Sequence, residues 1–80
     1  MTLSKETLTE KVGRNIVDAF RKIHKLGAVH GDVRKENILV RKDESVCIID
    51  FERTEVNNVS EEHIVMEGRE VEALFLRTRG

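Results

Sequence analysis

Proline is missing altogether from these 80 residues, and cysteine occurs once. A lone cysteine excludes an internal disulfide and fits a reducing compartment, so a cytoplasmic protein is expected. Long apolar runs are missing as well. No stretch reaches the length needed to span a bilayer, and the first residues lack the apolar core of a signal peptide. An excess of one charge is missing too. Fourteen Lys and Arg stand against fifteen Asp and Glu, for a formal charge of −1. The signs are interspersed, with no basic stripe for nucleic acid and no polybasic run for a membrane surface. Arg34-Lys35 and Arg41-Lys42 come nearest, and acids flank both pairs.

What remains is a small amphipathic chain. Eighty residues make one domain at most, and a chain of this size buries only about 60% of its unfolded surface. Leu8, Val12, Ile16, Phe20 and Ile23 recur every three or four residues, which predicts a helix over Thr2–Lys25. Ser4 or Thr7 is the expected cap, with Thr7 and Glu10 in capping-box spacing, and Gly27 is the expected stop. Gly13 inside this helix implies a close packing contact. His24 is read as a packed, hydrogen-bonded side chain. Two short apolar runs follow, Ile38-Leu39-Val40 and Val46-Cys47-Ile48-Ile49, separated by Arg41-Lys42-Asp43-Glu44-Ser45. They predict a β-hairpin with a five-residue connection. Cys47 alternates within the second strand and is read as a small core residue.

The hairpin organises the candidate chemistry. Asn37 stands just before its first strand and Asp50 just after its second, so antiparallel pairing brings an amide oxygen and a carboxylate to one end. Two such oxygens suit Mg²⁺, which keeps several waters and takes its remaining ligands from phosphate. Asp32, in the loop leading in, is placed to accept a proton from an attacking hydroxyl. Phosphoryl transfer is the chemistry these residue types share.

His30-x-Asp32-x-x-x-x-Asn37, an apolar hairpin and then Asp50-Phe51 resemble the catalytic loop and metal-binding segment of the protein-kinase-like superfamily over roughly residues 5 to 55. The resemblance implies an ATP-dependent phosphotransferase with Asp32 as catalytic base and Asn37 and Asp50 as Mg²⁺ and nucleotide ligands. It places Arg34 where protein kinases have a lysine that contacts the transferred phosphate. His30 is then expected to pack near Phe51 and bond loop backbone, and Glu36 to form a structural ion pair. Gly31 replaces the arginine through which regulated protein kinases sense activation-loop phosphorylation, and Glu52 replaces the glycine of Asp-Phe-Gly. His-Gly-Asp and Asp-Phe-Glu together are similar to aminoglycoside phosphotransferases, choline kinases and small fungal kinase-like proteins. ATP and a hydroxyl-bearing substrate, small molecule or protein, are the implied partners.

Residues 53–59 read as a loop, and a second helix is expected over about 60–78, capped by Ser60. Its apolar face is read as Ile64, Gly68, Val71 and Phe75 with Leu74 beside it, its acids as a solvated surface, and Gly68 as a close approach or kink. The expected fold is α+β, a partial kinase C-lobe: helix, catalytic loop, hairpin, loop, helix, in a single truncated domain over 1–80. No glycine-rich phosphate loop and no strand with a nucleotide-pairing lysine precede the catalytic loop, so the chain alone is expected to be inactive. The alternatives are a non-catalytic interaction module, self-associating through exposed apolar surface, and a truncated product without function.

Overall fold

A computed structural model describes residues 1–80. In chain order it holds helix α1 (Glu10–Lys25), one 3₁₀ turn (Lys35–Asn37), strands β1 (Ile38–Val40) and β2 (Val46–Ile48), and helix α2 (Glu61–Arg79). This is the α+β arrangement expected, with one difference at the start.

The first nine residues are not helical. Met1–Leu3 run antiparallel beside β1, with Thr2 bridging Leu39, the Leu3 amide donating to Ile38 O at 2.9 Å and the Val40 amide to Met1 O at 2.6 Å. Leu3 is thereby only 1% exposed. Ser4 and Thr7 then exchange bonds: the Ser4 amide donates to Thr7 Oγ1 at 2.8 Å and the Thr7 amide to Ser4 Oγ at 3.3 Å. These hydroxyls satisfy main-chain groups locally and offer the backbone an alternative to helix. The helix starts only at Glu10, where Thr9 Oγ1 accepts from the Val12 amide at 3.1 Å. At the other end Gly27 adopts φ +77° and donates to His24 O at 3.0 Å, the stop that sequence predicted.

The hairpin pairs Ile38 with Ile48, Leu39 with Cys47 and Val40 with Val46. Its five-residue connection is closed by the Arg41 amide donating to Ser45 O at 2.9 Å. Asp43 Oδ1 accepts from the Ser45 hydroxyl and amide, which holds its carboxyl below the usual aspartate range. Asn15 of α1 donates from Nδ2 to Glu44 O at 2.8 Å, fastening the turn to the helix. Successive strand residues face opposite sides. Ile38, Val40 and Ile48 enter the core, while Leu39 and Cys47 share the other face and stay half-buried. Cys47 is therefore not a core residue.

The core joins all elements: Leu3, then Val12, Ile16 and Phe20 of α1, Ile38, Val40 and Ile48 of the hairpin, and Val71 and Leu74 of α2. Ser60 caps α2 with Oγ accepting from the His63 amide at 3.3 Å, and His63 Nδ1 returns the bond by accepting from the Ser60 amide. The buried stripe of α2 is Glu67, Val71 and Leu74, whereas Ile64 and Phe75 lie at its border. Neither helix glycine marks a close approach. A Cβ on Gly13 would meet only Leu8 at 3.9 Å, and one on Gly68 would meet nothing within 4 Å.

Candidate functional site

The segment between α1 and β1 is pinned from both sides. Val29 and Glu55 exchange main-chain bonds of 3.1 Å each, which brings the stretch after β2 back beside the loop. His30 is fully buried. Its Nε2–H donates to Ile49 O at 2.8 Å, and its Nδ1 accepts from the Asp32 amide at 3.2 Å. The ring stands edge-on to Phe51, centroids 5.0 Å apart, and to Phe20 on its other side at 6.2 Å. His30 thus supports the loop as expected, with both ring nitrogens committed to main chain.

Asp32, Arg34 and Asn37 form one hydrogen-bonded group. Arg34 Nε donates to Asp32 Oδ1 at 3.0 Å. Asn37, buried in the 3₁₀ turn, donates from Nδ2 to Asp32 O at 2.9 Å and to Asp32 Oδ2 at 3.1 Å. Both amide protons are spent, and no protein donor reaches Asn37 Oδ1. The Ile49 amide donates to Asn37 O at 2.9 Å, so Asn37 sits across from Ile49, one residue from Asp50. Asp50 is exposed, holds φ +62° and has neither a hydrogen bond nor an ion-pair partner. Its charge is near enough to favour the cationic form of Arg34.

The Arg34 bond, reinforced by the Asn37 amide, holds the Asp32 carboxyl below its ordinary value, against some opposing desolvation. A carboxyl depressed on folding stabilises the native state above its unfolded pKa, and that contribution disappears as pH falls through the folded value. Arg34→Gln is expected to move the Asp32 titration upward, read from its side-chain carboxyl carbon by NMR. An unchanged midpoint would count against the pair. Arg34 is drawn to Asp32, and Glu36, exposed beside it, forms no ion pair, contrary to expectation.

One residue of this site was not expected. Glu67 of α2 is 3% exposed. Its Oε1 accepts from the His30 amide at 2.9 Å and lies 2.9 Å from His24 Nε2, while its Oε2 accepts from the Gly31 amide at 2.9 Å. One carboxyl therefore ties the end of α1, the loop and α2 together, and His24 finds the partner predicted for it. The available signal was its position four residues before Val71 and seven before Leu74, an acid on an apolar helical stripe.

Asn37 Oδ1 and the Asp50 carboxylate are two hard oxygens, both without protein partners, at one end of the hairpin. No three His, Cys, Asp or Glu side chains are grouped to hold a metal by themselves. This donor set fits a cation that keeps waters and shares its shell with a ligand, as Mg²⁺ does with phosphates.

No helix is long and apolar enough to cross a membrane. No curated protein and no solved structure matches the chain. Residues 2–67 match the lipopolysaccharide kinase (Kdo/WaaP) family, a span that contains the loop, the hairpin and Glu67. With its kinase-like residues gathered at one end of the hairpin, the chain belongs to this protein-kinase-like family.

Proposed function

We propose that these residues form the hydroxyl-orienting and metal-holding side of an ATP-dependent phosphotransfer site. The observation that carries the reading is the disposition of Asn37. It turns both amide protons on Asp32 and leaves its oxygen without a protein donor, while its main chain bonds Ile49, the neighbour of the unpaired Asp50. Membership of a kinase family supports the same chemistry.

Asp32 orients the acceptor hydroxyl and takes its proton as the new P–O bond forms and the bond from the γ-phosphorus to the oxygen bridging it to ADP breaks, ADP leaving with that oxygen. Held low by Arg34, it is a weak base toward a free alcohol, which suits a loose transition state in which proton transfer comes late. Arg34 uses Nε to fix the Asp32 carboxylate and keeps its terminal amino groups for negative charge. Asn37 and Asp50 would hold Mg²⁺, which neutralises charge on the phosphates when bound. Catalysis of this kind is mostly positioning, and these 80 residues contain neither a glycine-rich loop nor a lysine clamp for the nucleotide. Turnover by this chain alone is expected to be negligible.

Calorimetry with Mg²⁺ and a non-hydrolysable ATP analogue tests the reading. Binding should require Mg²⁺ and weaken about tenfold or more in Asp50→Asn, the scale of disturbing a metal's ligand environment. Binding that ignores both Mg²⁺ and Asp50 would overturn it and leave the non-catalytic module as the better account.

A further inference from the structure

Helix α2 has two faces of different use. Its inner stripe, Glu67, Val71 and Leu74, serves the core and the loop. On the opposite side Glu62, Val65, Arg69, Glu72, Leu76 and Arg79 recur alternately three and four residues apart, which aligns them in one row along the helix. All six are exposed. Val65 and Leu76 are each more than half exposed, as is Met66 beside the row. The ion pairs of the structure are Arg14–Glu10, His24–Glu67 and Arg34–Asp32, so the four charges of the row have no partner within the chain.

The order of the row is complementary to its own reverse. Turning a second copy of α2 end for end about the point midway between Glu70 and Val71 sets Glu62 against Arg79, Val65 against Leu76 and Arg69 against Glu72, each pair twice. Acid meets base and apolar meets apolar in every layer. A parallel pairing in register sets Arg69 against Arg69 and Glu72 against Glu72, so repulsion between like charges selects the antiparallel arrangement. The row also has space along one edge. A groove of about 450 Å³ lies there between α1 and α2, lined by Val17 and Phe20 on one side and by Val65 and Gly68 on the other. A Cβ on Gly68 would meet nothing within 4 Å, so a side chain of the second copy can settle over it.

We propose that this row is the interface of an antiparallel α2–α2 dimer, the partner being a second copy of the chain. The contact is isologous, with one two-fold axis making each residue serve in both halves. Val65 and Leu76 supply the apolar layers, and the charges between and beyond them fix register and direction. With so few apolar layers and ion pairs at the surface, the dimer forms and dissociates with concentration. Glu67 holds the His30 and Gly31 amides from the inner side of the same helix, so a partner on the outer side steadies the element from which the loop hangs. The row contains none of Asp32, Arg34, Asn37 and Asp50, so dimerisation and the phosphotransfer reading stand or fall separately.

Sedimentation equilibrium of the whole chain tests the proposal and should show a monomer–dimer equilibrium that shifts with concentration. Val65→Ser with Leu76→Ser should leave monomer alone, and because both side chains are exposed the circular dichroism of the helices should persist. Arg69→Glu and Glu72→Arg should each weaken the dimer about tenfold, since the two-fold axis doubles every charge reversal. Mixed together, these two variants should pair with each other as tightly as the unaltered chain pairs with itself, a rescue that a merely structural role for either residue would not give. A nitroxide on Glu62→Cys, in a Cys47→Ser background, should broaden the amides around Arg79 of an isotope-enriched, spin-free copy. A monomer at every concentration, a dimer indifferent to Val65 and Leu76, failure of the mixed variants to pair, or broadening at the Glu62 end of the second copy overturns the proposal.

Discussion

Glu67→Ala is expected to unfold most of the population at room temperature. The carboxylate accepts the His30 and Gly31 amides and meets His24 Nε2, all at 2.9 Å, inside the protein. Truncation removes the acceptor and leaves donors behind, and each buried donor left without a partner costs about 1–3 kcal/mol. Breaking a buried charged contact from one side typically costs about 3–5 kcal/mol in total. Small domains have little more than this to lose. Glu67→Gln should be the milder change, because its oxygen still accepts from one side while its NH₂ faces a donor on the other. Urea unfolding followed by circular dichroism ranks the three proteins, and an alanine variant with the wild-type midpoint would exclude the anchoring role.

Gly31→Ala should cost about 2–6 kcal/mol, combining about 1–3 kcal/mol for a side chain held at positive φ with a similar amount for steric overlap. Gly31 sits at φ +89°, and a Cβ there would overlap Arg53 O and lie 3.1 Å from Arg53 C. The obstacle is main chain, so no side-chain rotation relieves it. The loop has to move away from the turn at Arg53 that leads into the Glu55 bridge, and Asp32 moves with it. Gly31→Arg, the residue that regulated protein kinases carry, should be at least as damaging. Thermal melting checks both, and an unshifted melting temperature would show that the loop has room the geometry denies.

These effects also mark where sequence reading reaches and where it stops. The hairpin and its five-residue connection were legible because short apolar runs and a polar gap are local signals. Gly27 and Ser60 were legible because a helix end uses few residue types. Asp32, Arg34, Asn37 and Asp50 were singled out by the resemblance to kinase motifs, and the structure gathers the first three into one bonded group. Thr2 and Leu3 were misread as helix because a short extended segment has no period, and Leu8 continues the stripe of Val12 and Ile16 backward. Glu67 was hidden among Glu61, Glu62, Glu70 and Glu72. Two of its three partners are main-chain amides, which leave no trace in side-chain identity. The helix face was misjudged for the same reason, since α2 turns so that its acid, not Ile64, points inward.

Glu67 lies 37 positions beyond the amide it holds at His30. During synthesis the segment from His30 to Asn37 leaves the ribosome well before α2 exists, and the hairpin that follows can form while that segment is still fluid. The fastening of His30 and Gly31 thus waits for α2, because Glu67 supplies the acceptor for both amides. Hydrogen exchange should reflect this order, with the His30 and Gly31 amides opening together with α2 and independently of the strands.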